Sequence, residues 1–414
     1  MRIAIIGTGV SGLVAAWLLA PEHDLTVFEA NDYVGGHTNT IRCEVDGETH
    51  AVDTGFIVYN EKTYPNFVRL LDRLSVATQP STMSFSVVDQ RDGLEYAATS
   101  IDALFAQRRN LLRPGFYGMI RDIYRFFRES RELLATPNDD ITLADYVRQK
   151  GFGRAFVEQH LIPIGAAIWS ADPRRFGLIP ARFFVQFLEN HGMLQADDRP
   201  PWRVVRGGSH EYVRAIVRPF REAIRLSTPV EAVTRHADRV EVRPRGGRTQ
   251  TFDRVVIATH SDQALRMLTD ATDAEREILG AIPYQPNDTV LHTDERLLPT
   301  RRKTWASWNY LVPAEPQDRV AITYHMNTLQ SIKASRQFCV TLNRTGHIDP
   351  GQVLRRLEYH HPIFTAAGVA AQQQRYRING ENHTYYCGAY WGNGFHEDGV
   401  RSALAVAELF GKSL

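Results

Sequence analysis

The sequence predicts an α/β fold: a doubly wound parallel-sheet unit to which the chain returns three times, interleaved with a second, α+β domain. Three stretches carry that expectation. Arg2–Ile6 is a short apolar run suited to a buried parallel strand; "GTGVSG" follows at once, and "LVAAWLLA" continues with helical character. A second apolar run, Leu25–Phe28, ends in Glu29. Far downstream, "YYCGAYWGNGFHEDGVRSALAVAELF" (385–410) repeats the order strand, glycine-punctuated loop, helix.

The first stretch says what the unit holds. Gly7 makes a tight turn, Gly9 lets a diphosphate approach the backbone, and Gly12 lets the helix pack on the strand. Val10 and Ser11 open that helix, whose free N–H groups and positive dipole end suit phosphate. Glu29, followed by Ala30, lies about twenty residues on, where an acid accepts ribose hydroxyls. A turn that served only the fold would leave Glu29 without a reason, so a Rossmann-like dinucleotide-binding unit is expected. Six residues after Glu29 come Gly35 and Gly36, then His37 and Thr38. This doublet marks a second close approach of backbone to ligand, which a simple NAD unit does not need.

Bulk properties bound the rest. A chain of 414 residues suits about two or three domains. Apolar content of 43% with 23% charged residues is ordinary globular composition, and a net charge of +1 argues against binding nucleic acid through global charge. Cys43, Cys339 and Cys387 are far apart and odd in number, giving neither a disulfide framework nor a CxxC metal pattern; a reducing, cytoplasmic setting is expected. The apolar N-terminus is broken by glycines too early for a signal peptide, and no window approaches the ~20 apolar residues of a membrane span.

Between the glycine stretches, "STMSFSVVDQRDGLEYAAT" (81–99) alternates around an Asp-Gly turn and reads as a hairpin. Residues 101–195 read as helices, with Thr142 and Asp145 resembling a capping box. "WRVVRGGSHEYVRAIVRPF" (202–220) precedes a strand, a hairpin with a glycine turn, and the apolar strand "RVVIATH". Residues 281–375 add further strands and then the helix-like "GQVLRRLEYH". The expected division is 1–80, 200–265 and 376–414 for the dinucleotide unit, and 81–199 with 266–375 for a substrate domain.

At these motifs the sequence resembles the FAD-dependent amine oxidase, phytoene desaturase and protoporphyrinogen oxidase superfamily. That resemblance implies a Rossmann-like FAD-binding domain of the glutathione-reductase and amine-oxidase type, interleaved with a mixed-sheet and helical substrate domain. In the family the doublet is usually followed by an arginine near the pyrophosphate; here it is His37, which removes a permanent charge. Val230 of the "PV" pair matches a residue whose backbone contacts the adenine. The resemblance sets Gly388, Gly394, Gly399 and Val400 beside the flavin, with helix-start N–H groups around Gly399 and Val400 facing the ring's carbonyl edge. Glu397 and Asp398 read equally as helix caps. Tyr390 and Trp391 are candidates for flanking the ring. Many amine oxidases of the family carry a lysine near flavin N5; the one lysine in a plausible region, Lys303, reads better as part of a solvated basic turn. The "FHEDG" ending and the "WASWNY" strand point to a bacterial branch that includes desaturases of methyl-branched acyl chains in furan fatty acid synthesis.

On the substrate side, Trp308 and Asn309 share one predicted strand and Tyr324 and His325 another. Strand aromatics are ordinarily core, but bulky rings with a few polar groups also suit a pocket. His325 is the first candidate for a proton acceptor. No metal site is expected. "RRNLLRPGFYGMIRDIYRFFRESRELL" (108–134) reads either as a basic amphipathic helix on an anionic membrane surface, at the inner face of the membrane, or as a packed helix with solvated arginines. The expected activity is FAD-dependent hydride removal from a small-molecule or lipid substrate, giving a new C=C bond in an acyl chain. An amine oxidase, an isoprenoid or porphyrin-type desaturase, and a non-catalytic flavin-binding protein stay open, as does the oligomeric state.

Overall fold

In a computed structural model, residues 1–135, 141–195 and 200–414 are described. Residues 136–140 of the expected helical block, and 196–199 beside the expected boundary at 199, lie outside them. A five-stranded, all-parallel sheet runs in the order Ile224–Arg225, Asp24–Phe28, Arg2–Ile6, Arg254–Ile257, Thr384–Tyr386. Its central strands are nearly continuous apolar runs because both faces are covered. On one face lie the helix Val10–Leu19 and the closing helix His396–Glu408; on the other, the antiparallel strands Val230–Arg235, Val240–Pro244 and Gln250–Phe252. The closing helix crosses Val10–Leu19 at Gly399, where a Cβ would come 2.5 Å from Val10 Cγ1.

A seven-stranded mixed sheet runs Val353–Pro362, Tyr284–His292, Cys339–Leu342, Ala321–His325, Trp308–Val312, Phe85–Asp89, Leu94–Ala97. The helices between residues 101 and 190 bury their apolar faces against it in one core. Thr142 caps the helix Leu143–Gln149, its Oγ1 accepting from Asp145 N–H at 3.1 Å. Within the run 154–169 the turns at Val157–Leu161 widen to π geometry. Pro163 has no N–H for the carbonyl of Gln159, and Tyr96 Oη donates to that oxygen instead at 2.9 Å. The helix Pro114–Glu129 buries Phe116, Met119 and Phe126, so its apolar face belongs to the core. Its opposite face leaves Tyr117, Arg121, Tyr124 and Arg128 exposed. Among the described residues no helix is long and apolar enough to cross a membrane.

Two expectations are corrected. "GQVLRRLEYH" is not a helix: Val353–Pro362 is a ten-residue edge strand paired antiparallel to Tyr284–His292. Its leucines and arginines favour a helix locally, and cross-strand pairing overrides that propensity. The closing helix starts at His396 rather than near 400, because Asp398 Oδ2 takes the N–H groups of Asn393 and Phe395 and fixes the turn before it.

Candidate functional site

A cavity of about 930 Å³ opens at the carboxyl ends of the parallel strands, where ligands bind in open α/β sheets, and continues toward the seven-stranded sheet. Its first part is a glycine cradle. A Cβ on Gly12 would lie 2.0 Å from Gly7 O, so helix and strand are in backbone contact there. Gly9 faces open space, with nothing within 4 Å of an added Cβ, while a Cβ on Gly36 would come 3.1 Å from Gly9 Cα. Two glycine backbones thus face one another across the cradle, and Gly35 and Gly36 both hold positive φ, +129° and +58°. Thr8 ties the loops together: its Oγ1 accepts from Gly35 N–H at 3.2 Å and donates to Glu29. Glu29 lines the cavity, its carboxylate accepting from Thr8 N–H at 3.0 Å and Asn31 N–H at 2.8 Å. Two carboxylate oxygens offer about four acceptor sites, so room for a ribose hydroxyl remains.

Gly7, Gly9, Val10, Ser11, Ala30, His37, Gly388 and Gly394 line the same cavity. Val230 joins them, and a register shift between Val230 and Ala232 turns Glu231 toward the cavity as well. Gly12 serves packing alone. Thr38 faces inward to Tyr212 Oη at 2.6 Å and His396 Nε2 at 2.9 Å, off the cavity wall. Gly399 and Val400 are also off the wall. Gly399 N–H donates to Phe395 O inside the helix, so the free helix-start N–H groups belong to earlier residues. Glu397 caps the helix Pro65–Arg73, accepting from Asn66 N–H at 3.2 Å and Phe67 N–H at 2.9 Å. Tyr390 lines the cavity and Trp391 does not. Lys303 pairs with Asp102 at 2.8 Å on the surface, and no lysine lines the cavity.

The second part of the cavity is an apolar arm. Trp308 and Tyr324, directly paired across their strands, present their rings to it 5.3 Å apart. Their neighbours Asn309 and His325 alternate to the opposite face and are corrected as site residues. Asn309 spends its amide on Ser86 Oγ and on the Ala306 and Thr323 carbonyls. His325 is bonded on both nitrogens, to Thr328 Oγ1 at 2.7 Å and Gln337 Oε1 at 2.8 Å.

Helices that give no binding signal in sequence close the arm. Ile164, Ile168 and Trp169 come from one, Phe187 and His191 from the end of another, and Trp202 follows. Trp169 and Phe187 rings lie 4.7 Å apart, and Phe187 stacks on Phe395 at 5.2 Å, joining arm to cradle. His191 stacks on Phe187 at 4.0 Å, and its Nδ1 meets Phe187 O at 2.9 Å. A carbonyl only accepts, so Nδ1 carries the proton and Nε2 keeps a lone pair. Burial lowers the His191 pKa to about 4, so the ring is neutral near pH 7. Among the described residues no Asp, Glu, Lys or Arg meets the arm; the charged wall residues Glu29, Glu231, Arg245, Arg266 and Glu358 come from the cradle strands, their hairpins and the elements that cover them.

Tyr359 and His361 on the misread edge strand, and His260 and Tyr284, complete the cradle wall. "ATHS" after an apolar strand is the one sequence signal that points to any of them.

The paired glycine backbones, the empty face of Gly9 and the acceptor capacity of Glu29 fit the adenine dinucleotide of FAD. Comparison with known proteins agrees. Residues 10–409 match the family described as flavin containing amine oxidoreductase. A 4,4'-diapophytoene desaturase (4,4'-diaponeurosporene-forming) of Staphylococcus aureus (strain MRSA252) is 36% identical over 149 residues, which cover 32% of this chain and 27% of that protein. The chain thus spans about a quarter or less of the curated relatives it matches first. Among solved structures, a putrescine oxidase bound to putrescine superposes with a TM-score of 0.71 at 15% identity, over 99% of each chain. A CLA-producing fatty acid isomerase from P. acnes superposes with a TM-score of 0.66 at 16% identity, over 99% of this chain and 98% of that one. At those identities the likeness speaks for the fold alone.

Proposed function

The chain belongs to the flavin-containing amine oxidoreductase family and is an FAD-dependent oxidoreductase, and from that premise we propose that it desaturates an apolar acyl lipid, a methyl-branched fatty acyl chain being the expected case. Segments 1–80, 200–265 and 376–414 would hold FAD, and 81–199 with 266–375 would hold the substrate. FAD, when bound, accepts a hydride. The observation that carries the reading is the arm: a largely aromatic and alkyl wall, in which no described residue is charged, suits a long apolar chain. Desaturation also releases a proton, and His191 Nε2 is the acceptor the arm provides, its tautomer set by the Phe187 carbonyl. Trp308 and Tyr324 orient the chain.

The experiment is anaerobic reduction of the purified holoprotein. A branched fatty acyl lipid is expected to bleach the flavin absorbance and polyamines to leave it unchanged. Bleaching by amines alone would replace this reading with an amine oxidase, and no bleaching by any candidate would favour a non-catalytic protein. His191→Gln is expected to keep its FAD and lose about 100-fold or more in the rate of bleaching. The wild-type rate is expected to fall only as pH drops toward about 4, where Nε2 is protonated.

Such a substrate sits in a lipid surface, and the chain offers a face for one. Ile101, Leu111, Leu112, Tyr117 and Tyr124 are exposed within one short stretch, Leu112 by 86%. Residues 101–129 carry six arginines against three acids, although the whole chain is only +1. Apolar side chains among arginines suit the interface of an anionic bilayer. Co-flotation with vesicles containing phosphatidylglycerol is expected at low salt, and Leu111→Asp with Leu112→Asp should weaken it at least ~10-fold with FAD content unchanged. Equal flotation with neutral and anionic vesicles, or none, would remove the membrane part of the reading.

A further inference from the structure

The glycine cradle is walled by imidazoles. His37 follows Gly36 directly, and its ring centroid lies 4.8 Å from Tyr359, 5.5 Å from His361 and 5.8 Å from His260. His260 follows Thr259, whose methyl lies 3.4 Å from a Cβ added at Gly7, and its ring stacks on Tyr284 at 4.5 Å. His361 Nδ1 accepts from the Asn287 amide at 3.1 Å, so the neutral ring presents an Nε2–H donor. His37 is held by the backbone of His360, and its Nε2 is buried with no hydrogen-bond partner. An orphaned, buried ring nitrogen beside the glycine cradle marks a place where a ligand completes the set.

Without a ligand these rings are neutral. Burial first, and then repulsion from neighbouring rings, lowers His37 to about 4 and His260 and His361 to about 3. Several of the surrounding charges are already committed. On the edge strand, Glu358 pairs with His360 at 2.9 Å; on the helix Ser261–Met267, Asp262 pairs with Arg266 at 2.7 Å. Glu29, at the end of Asp24–Phe28, is bonded to backbone N–H groups, and Glu231 and Arg245 stand on the flanking hairpin. Tyr33, Tyr284 and Tyr359 are pushed above their ordinary values by burial and stay neutral. His396, at the closing helix, spends Nε2 on Thr38 and Tyr212.

We propose that this imidazole cluster is a proton-coupled clasp for a diphosphate: the dinucleotide binds together with about one proton, taken up on His37, whose Nε2 becomes the donor that holds the bridge. Rings under 6 Å apart oppose a second charge, so the uptake stops near one. A bound diphosphate raises the pKa of the ring beside it. The free site is neutral above about pH 4 and the bound site protonated below the raised value. Affinity therefore strengthens as pH falls between the two, by up to about tenfold per pH unit, and is flat above them. A fixed arginine at this position would bind without taking up a proton.

The test needs no substrate and is independent of the acyl reading. Apoprotein is titrated with FAD by flavin fluorescence between about pH 6 and pH 8.5, and proton uptake is read by calorimetry in buffers of different ionisation enthalpy. Wild type is expected to bind more tightly at the acid end, with uptake approaching one proton. His37→Arg is expected to bind with a nearly pH-independent Kd and little uptake. His37→Asn should weaken binding at about pH 6 toward the alkaline value, and it serves where the arginine variant does not fold. A pH-independent Kd with no uptake in wild type, or the full wild-type pH dependence in either variant, would overturn the proposal.

Discussion

Gly9→Val is expected to give a folded, colourless protein, and Gly12→Ala a protein that does not fold. The two glycines stand three residues apart in one motif, yet a Cβ meets different surroundings at each. At Gly12 it would lie 2.0 Å from the carbonyl oxygen of Gly7. Neither backbone can retreat: Gly7 N–H is bonded to Phe28 O at 2.8 Å, and Gly12 lies on a helix buried from Val10 to Ala16. The strain exceeds the ~1–3 kcal/mol of an ordinary overpacked site, against a total stability of about 5–15 kcal/mol. At Gly9 an added Cβ has nothing within 4 Å, and φ −63°, ψ 174° suits any residue. The valine methyls would stand in the open space beside Gly9, filling the cradle and leaving the fold intact. Thermal denaturation and the ratio of flavin to protein absorbance separate the outcomes. A yellow Gly9→Val protein with wild-type FAD affinity would show that the diphosphate does not lie on this backbone.

Glu275→Ala is expected to cost about 3–5 kcal/mol of stability without touching the cavity. Arg235 and Glu275 are each buried to 2% exposure of their side chains and meet at 2.8 Å. Arg235 also reaches Asp270 at 2.7 Å, and Glu275 takes the Tyr386 hydroxyl and the Thr272 N–H. The network joins the three-stranded sheet, the helix Asp273–Gly280 and the last strand of the parallel sheet. Removing one member leaves a desolvated charge, which is the costly case; replacing both with apolar groups is far milder. Arg235→Met with Glu275→Leu should therefore recover most of the loss in urea unfolding, and a double variant as unstable as Glu275→Ala would contradict this account. Burial alone would raise the Glu275 pKa, but hydrogen bonds from Arg235 and Tyr386 bring it down to about 2. Since the folded value is depressed, the stabilisation is complete above the ordinary value of 4.5 and is lost as pH falls from there through about 2.

What the sequence made legible was the cradle. Close approach of backbone to backbone or to phosphate admits only glycine, so Gly7, Gly9, Gly12 and the Gly35–Gly36 doublet announce themselves by residue type alone. The arm was not legible in that way. Its walls are ordinary buried aromatics, and nothing local in "ARFFVQFLENHG" tells that Phe187 and His191 face a cavity while Phe184 faces the core. Alternation along the strands could have separated Trp308 from Asn309 and Tyr324 from His325, given knowledge of which face was hollow. Reading "GQVLRRLEYH" (351–360) as a helix hid more. As a strand, Val353–Pro362 carries Tyr359 and His361 to the cradle, where they meet the histidine that stands in place of an arginine.

The parallel sheet sets a timetable on the ribosome. Arg2–Ile6 lies at its middle, yet its neighbour Arg254–Ile257 and the flanking Thr384–Tyr386 are made far later. At about 5–20 residues per second, the first strand waits roughly 20–80 s for the last. Through that interval the nascent chain carries the glycine motif with open strand edges beside it, and the helix His396–Glu408 has yet to cover Val10–Leu19. Flavin capture is therefore a late event in biosynthesis, and a nascent chain stalled before the closing helix emerges presents exposed strand edges to chaperones rather than a yellow protein.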